Sequence, residues 1–293
     1  MKWGKITLNN NEIVLNFFGY VISVKSNDDD VISQIAYIYK DYLELKKQEI
    51  AYYFYIENKK KCKFVMSELL NNESIVVYHG KESKHMMIWK EQNTFLPPIT
   101  APYFRTFFSF YHGCALRIQN RTIVIFGPSL SGKTTLIMKC LDKGAHLISD
   151  DIVIIDNLSN EVLPFKKPIG IRNTSEYHKE ERIIQAINKK TKSVPTFTIK
   201  ALNITTELIH ISEILGWNYY DKSSNIDEIY FINSNEEFEI LDSFYEFYTR
   251  IIKQACISND NLGLMIDIYK KLKKKPMLIN IRNYKKMWEV LNL

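Results

Sequence analysis

Disulfide-forming cysteine pairs, long apolar runs and nucleic-acid-binding signatures are all missing from this 293-residue chain. Its four cysteines are Cys62, Cys114, Cys140 and Cys256. None forms a C-x-x-C pair, and the spacing offers neither a zinc site nor a disulfide framework, which points to a reducing compartment. No segment approaches the roughly 18 uninterrupted apolar residues of a membrane span. The apolar stretch Ile13–Val24 is interrupted by Asn16 and preceded by Asn9-Asn10-Asn11-Glu12 in place of a basic region, so it does not read as a signal peptide. The expectation is a soluble cytoplasmic protein, with neither membrane nor nucleic acid as partner. Internal repeats and low-complexity tracts are absent too. What remains is a globular composition: 46% apolar residues support a sizeable core. The net charge of +6 is spread over short clusters, Lys59-Lys60-Lys61, Lys166-Lys167, Lys189-Lys190 and Lys273-Lys274-Lys275. These read as solvated faces, on a surface that would also suit an anionic nucleotide or an acidic peptide.

Against that background one stretch stands out. Gly127-Pro128-Ser129-Leu130-Ser131-Gly132-Lys133-Thr134-Thr135 fits the phosphate-loop pattern G-x-x-x-x-G-K-[ST] at every defined position. The β-branched run Thr122–Phe126 before it reads as a buried strand. Leu136–Leu141 after it reads as a helix, closed by Gly144. Strand, glycine loop and helix start are the context the motif needs. Backbone N–H groups and the helix N-terminus would cradle phosphates. Lys133 would reach the β- and γ-phosphates, and the Thr134 hydroxyl would bind Mg²⁺.

A phosphate loop needs an acidic partner, and Asp150-Asp151 lies only 17 residues after Lys133. One helix of about three turns covers most of that distance, so the pair returns directly to the phosphate end of the sheet. Neighbours in an extended strand point to opposite faces. The two carboxylates are therefore expected to divide their work unless the chain bends there. One would face the metal or Lys133, the other an acceptor hydroxyl, as a kinase requires.

Elsewhere, residues 1–100 read as a strand-rich α+β module with a helical segment over 31–46, and 101–293 as the phosphate-loop domain. Pro97-Pro98 marks the boundary. A strand and a polar turn, Ala115–Ile118 and Gln119–Thr122, lead back into the strand that feeds the loop. Residues 173–194 read as a long polar loop or mobile helix, and Phe238–Ala255 as one amphipathic helix. Strands are expected at 64–66, 226–232 and 277–281, and helices at 262–273 and 284–291.

His112-Gly113, Gly127–Thr134 and Leu147-Ile148-Ser149-Asp150-Asp151 together resemble the catalytic domain of the HPr kinase/phosphorylase family and its kinase-like relatives. The resemblance covers about a fifth of the chain. It implies a compact α/β phosphate-loop core and ATP- and Mg²⁺-dependent phosphorylation of a seryl hydroxyl. It also implies roles: Asp150 as catalytic base, Asp151 orienting Lys133 or the metal, His112 near the transferring phosphate. Two family features are missing. Thr135 stands where the family has an acidic residue, and no later glycine-rich signature follows. These absences remove the support for the reverse phosphorylase reaction and for HPr as acceptor, and leave a homo-oligomer open. The remaining pattern, with Pro164-Phe165-Lys166-Lys167-Pro168-Ile169, is similar to the kinases of lasso-peptide precursors. The expected partner is then a peptide or small protein with a serine hydroxyl. Two alternatives stand beside it: a kinase of a small alcohol such as free serine or a sugar, and a non-catalytic nucleotide switch. The switch reading lacks a guanine-reading motif, since Asn188-Lys189-Lys190-Thr191 has no Asp.

Overall fold

The computed structural model describes residues 12–26, 29–46, 48–58, 74–79, 83–88, 99, 102–128, 130–189, 196–199, 204–233, 238–256 and 261–293. The expected strand at 64–66, Cys62 and the Pro97-Pro98 boundary lie outside them. The chain divides into two compact units. The first holds residues 1–99, 172–174 and 187–208, and the second holds 100–171, 175–186 and 209–293.

The first unit begins with a hairpin of β1 (Glu12–Phe17) and β2 (Tyr20–Ser26). Its two-residue turn puts both Phe18 and Gly19 at positive φ, the twist that suits antiparallel strands. Helix α1 (Asp29–Ile38) crosses over to β3 (Tyr52–Asn58), which runs parallel to β2. Ile32, Ile35 and Ile38 are its buried stripe. The helix is shorter than the 31–46 expected, because Leu43 leaves helical geometry to pair with Leu15. Strands β4 (Ser74–His79) and β5 (Ser83–Ile88) complete an ordered sheet β1-β2-β3-β4-β5.

The second unit is α/β, built on β6 (Phe108–Ile118), β7 (Arg121–Phe126), α2 (Lys133–Asp142), β8 (His146–Ser149) and β9 (Ile152–Asp156). β6 and β7 form the expected hairpin. β7 is buried from Thr122 to Phe126, as a strand covered on both faces must be. Helix α2 ends in a Schellman turn: Gly144 at φ +86 donates to the Leu141 carbonyl, and Ala145 donates to that of Cys140. Cys140 is a buried core residue, as expected from its place in the apolar pattern. β10 (Glu161–Leu163) and β11 (Ile169–Arg172) follow.

Residues 175–188 differ from the loop reading. A short 3₁₀ turn, Glu176–Lys179, precedes helix α3 (Glu181–Asn188), which buries Ile183 and Ala186. Tyr177, Arg182 and Trp217 all donate to the Asp142 carboxylate. That fastens the segment to the last turn of α2, at the end of the helix away from the phosphate loop. β12 (Thr196–Ile199) and β13 (Ile204–Ile209) pair antiparallel.

β14 (Ser224–Asn225), β15 (Glu228–Ile232), β16 (Glu239–Ile240), α4 (Phe244–Ile251), α5 (Leu262–Lys271), β17 (Met277–Ile279) and α6 (Tyr284–Leu291) close the unit. β7, β15 and β17 run parallel side by side, and the order across the sheet is β14-β10-β9-β6-β7-β15-β17-β16. The expected helix over 238–255 is cut to α4. Its start is set by a capping box, in which Ser243 accepts from the Glu246 N–H and Glu246 accepts from the Ser243 N–H. Tyr111, Phe126, Phe231 and Phe247 are central to the core between this sheet and helices α4 and α5.

Candidate active site

The site forms where β7 ends. Two parallel neighbours, β15 and β17, end beside it, so the loop after β7 emerges at the carboxyl edge of the parallel strands, a common place for ligands. Close packing fixes its glycines. A Cβ on Gly132 would lie 2.3 Å from Ile281 Cδ1, and Gly132 also has φ +95. A Cβ on Gly127 would meet Ser131 Oγ at 2.8 Å and Ile232 Cβ at 3.0 Å. Leu130 holds φ +67 and is exposed at the tip. Pro128, Ser131, Thr134 and Thr135 complete the described loop and helix start. Ser129 lies outside the described residues.

Lys133 is buried and curls back on its own loop. Its Nζ donates to the Gly127 carbonyl at 2.7 Å and to that of Pro128 at 2.8 Å. It also meets His112 Nε2 at 3.0 Å. An ammonium only donates, so Nε2 accepts and the imidazole proton sits on Nδ1. Nδ1 then donates to the Asp151 carbonyl at 3.0 Å. Burial, followed by repulsion from Lys133, pushes the His112 pKa down, which keeps the ring neutral as this pattern requires.

The acidic pair sits between β8 and β9, which pair with successive lengths of the same edge of β6. Ser149 is opposite Ala115 and Ile152 is opposite His112. The two aspartates between them leave the ladder in a tight bend. The Ile152 N–H donates to the Asp150 carbonyl at 2.9 Å across Asp151, which holds φ +71. An i to i+2 bond around a positive-φ centre is the rarer, strained form of γ-turn. The bend defeats the simple alternation of a strand and aims the two carboxylates independently. Gly113, whose N–H donates to the Asp151 carbonyl, is itself closed in by β7, where a Cβ would come within 2.6 Å of Phe126 Cδ1 and 2.9 Å of the Ile125 carbonyl.

Asp150 goes inward. It is 4% exposed, its Oδ2 accepts from Thr134 Oγ1 at a long 3.4 Å, and its Oδ1 is buried with no hydrogen-bond partner. Burial and then the Asp151 charge raise its pKa to about 6. Asp151 goes outward. Its Oδ2 accepts from Lys167 Nζ at 2.9 Å, and that ammonium pulls its pKa down to about 2. From the sequence, Asp151 is expected to orient Lys133 or the metal: the Lys133 charge does act on Asp151, and helps to lower its pKa, but the hydrogen bond to Thr134 is made by Asp150. The γ-turn rotates Asp151 away and puts Asp150 beside Thr134 instead. His112 Nδ1 lies 3.8 Å from Asp151 Oδ1.

The implied Mg²⁺ can be tested against these donors. A hydroxyl and a carboxylate oxygen adjoin at the start of α2, and Asp150 Oδ1 and Ser131 Oγ are buried without partners. Hard oxygen donors with a single carboxylate suit Mg²⁺, which takes its remaining ligands from phosphates and water. Among the described residues, no group of three or more His, Cys, Asp and Glu side chains could form an all-protein cage. The donors fit the ion in that partial sense.

Lys167 escaped the sequence reading, which placed Lys166-Lys167 on a solvated face. It is 5% exposed. The bracketing by Pro164, Phe165 and Pro168 is the signal available in the sequence, since an apolar and rigid context is a poor place for a free lysine.

No family model matches the chain. It is similar to the HPr kinase/phosphorylase of Nitrosomonas europaea, 24% identical over 166 residues that cover 55% of this chain and 48% of that protein. It is also similar to the HPr kinase/phosphorylase of Chlorobium phaeovibrioides, 23% identical over 108 residues, 37% of this chain and 30% of that protein. The chain thus spans about half the length of the first relative and less of the second. A solved structure, the Hpr(Ser) kinase/phosphatase from Coxiella burnetii, aligns at 15% identity over 62% of this chain and 93% of that one, with a TM-score of 0.31. The likeness to HPr kinases that the three motifs suggested is shared by these curated relatives. Among the described residues, no helix is long and apolar enough to cross a membrane.

Proposed function

We propose that this chain is an ATP- and Mg²⁺-dependent kinase that transfers the γ-phosphate to a serine hydroxyl of a peptide or small protein, with a lasso-peptide precursor as the favoured class. The observation that carries this reading is the state of Asp150. It is buried beside the phosphate loop, one of its oxygens adjoins Thr134, and the other is free of any hydrogen-bond partner. Such a carboxylate is suited to take a proton late in phosphoryl transfer.

Lys133 would turn from the loop carbonyls to the β- and γ-phosphates, and the loop N–H groups would hold the remaining oxygens. Thr134 and Asp150 Oδ2 are the side-chain oxygens that would hold Mg²⁺, which supplies neutralisation of phosphate charge when bound. Asp150 Oδ1 would orient the serine O–H. As the serine oxygen bonds to Pγ and the bond from Pγ to the bridging oxygen of ADP breaks, Asp150 takes the hydroxyl proton. His112, neutral and bonded to Lys133, keeps the ammonium directed at this edge of the loop. The parallel with relatives named HPr kinase/phosphorylase supports a protein acceptor.

Mass spectrometry of candidate acceptors incubated with Mg-ATP tests the reading. The panel is serine-terminated peptides, HPr protein and free serine. A gain of one phosphate on a peptide is expected. Gain on free serine alone would move the protein to the small-alcohol class, and no gain on any of them would count against the kinase reading.

A further inference from the structure

The strained turn at Asp151 needs something to hold it, because φ +71 is unfavourable for a residue with a side chain. Two donors fix its carbonyl: His112 Nδ1 at 3.0 Å and the Gly113 N–H at 3.3 Å. Its carboxylate is fixed by Lys167. The path that delivers Lys167 is built stepwise. Phe165 is fully buried, bridges Ser149 in parallel and donates its N–H to the Ile148 carbonyl at 2.8 Å. That lays residues 165–167 alongside the end of β8. Pro168 then restricts the Lys167 backbone to extended conformations. The Tyr219 hydroxyl donates to the Lys167 carbonyl at 3.0 Å. The Nζ arrives 2.9 Å from Asp151 Oδ2 with the side chain 6% exposed.

A lysine is rarely buried this far without a reason. Burying an ammonium and a flexible four-carbon stem costs both solvation and rotamer freedom. The return on that cost is local. Adjacent carboxylates repel, and the Lys167 ammonium offsets that repulsion from the Asp151 side. The ion pair also resists rotation of the turn, and rotation would carry Asp150 away from Thr134.

We propose that Lys167 is a positioning residue for the transfer step: by holding Asp151 in its left-handed turn, it fixes the direction in which Asp150 faces the phosphate loop. The proposal rests on the kinase reading above. It assigns a role to the second half of the Lys166-Lys167 pair, whereas Lys166 forms a more exposed ion pair with Asp221.

The test uses Lys167→Met, Lys167→Arg and Lys166→Met in the full chain. Two quantities are read: the Kd for Mg-ATP, and kcat and KM with a serine-terminated peptide. Lys167→Met is expected to lower kcat roughly 10- to 100-fold, the scale of a displaced catalytic group. Lys133 and the loop are untouched, so with Mg-ATP saturating the loss of kcat should exceed the loss of Mg-ATP affinity that a displaced Asp150 Oδ2 brings. Lys167→Arg keeps the charge and should recover most of kcat, and Lys166→Met should match the unaltered protein. Unchanged kcat in Lys167→Met would overturn the proposal. So would equal loss of nucleotide affinity and kcat in both Lys167 variants, which is the mark of a lysine needed only for folding. If the unaltered protein moves no phosphate, the kinase reading itself fails and this proposal falls with it.

Discussion

Asp150 is 4% exposed, and one of its oxygens has no partner, so its charged form is costly in the folded chain. Burial and the neighbouring Asp151 lift its pKa from the ordinary 3.8 to about 6. The folded chain therefore binds this proton more tightly than the unfolded one. The stability this provides is present in full below pH 3.8 and is lost as pH rises to about 6. Asp151 runs the other way. Lys167 holds its pKa at about 2, so its contribution is present above pH 3.8 and is lost as pH falls toward 2. Asp150→Asn keeps the shape and removes the buried charge. In nucleotide-free buffer with a chelator, it should raise Tm at pH 8, by about 1–3 kcal/mol of stability. The gain should fade below pH 5. Thermal denaturation at the two pH values checks this, and an unchanged or lower Tm at pH 8 would show that Asp150 is not a strained base. A residue that destabilises the fold where it sits beside a phosphate loop is what a functional compromise looks like.

At the scale of elements, much was legible because local rules and tertiary packing agreed. The β6–β7 hairpin, the loop and α2 follow from Ile123–Phe126, the two loop glycines and Gly144, each of which has one strong local preference. α4 was legible in part. Ser243 and Glu246 spell a helix start, but the apolar positions before them masked it. The bend at Asp150-Asp151 was not legible, since it is imposed by β8 and β9 sharing one edge of β6. α3 was legible only as one of two readings, loop or helix, because what fixes it is the Arg182 side chain, which donates to Asp142 and lies over the Trp217 ring, both far away in the chain. Two glycines at positive φ separate conformation from contact. Gly132 sits at φ +95 against Ile281, whereas Gly144 sits at φ +86 with nothing within 4 Å of an added Cβ. Gly144→Ala should cost about 1 kcal/mol of stability and leave nucleotide affinity unchanged. Gly132→Ala should weaken Mg-ATP binding by about 10-fold or more, because φ +95 is strained for a residue with a side chain and relieving it shifts the phosphate loop. Titration calorimetry with Mg-ATP decides it, and equal affinities for the two variants would contradict the loop geometry described.

At the scale of the whole molecule, the sequence placed a boundary near residue 100, and the first compact unit takes its first segment from residues 1–99. The chain also sends residues 172–174 and 187–208 back to that unit, which nothing in their composition announces. Tyr37 shows what draws them there: its hydroxyl donates to the Leu208 carbonyl at 3.1 Å, a contact across 171 residues. Long-range pairings of that kind are invisible to periodicity. The candidate site was easier to see, because its parts lie within one stretch, His112 to Asp151, and each is chemically distinctive. Lys167 lies just beyond it and looks like any surface lysine until Phe165 is seen to be buried beside β8.

The account stands on Asp150 accepting a proton during phosphoryl transfer to serine. The most direct test is a single-turnover measurement of labelled γ-phosphate moving from Mg-ATP to a serine-terminated peptide, with Asp150→Asn run in parallel and Mg-ATP affinity measured on both proteins. The account predicts that, with Mg-ATP saturating for each protein, the transfer rate is at least about 100-fold lower in Asp150→Asn, a larger loss than any fall in Mg-ATP affinity from the missing Mg²⁺ oxygen. Transfer at a similar rate in both proteins would contradict it.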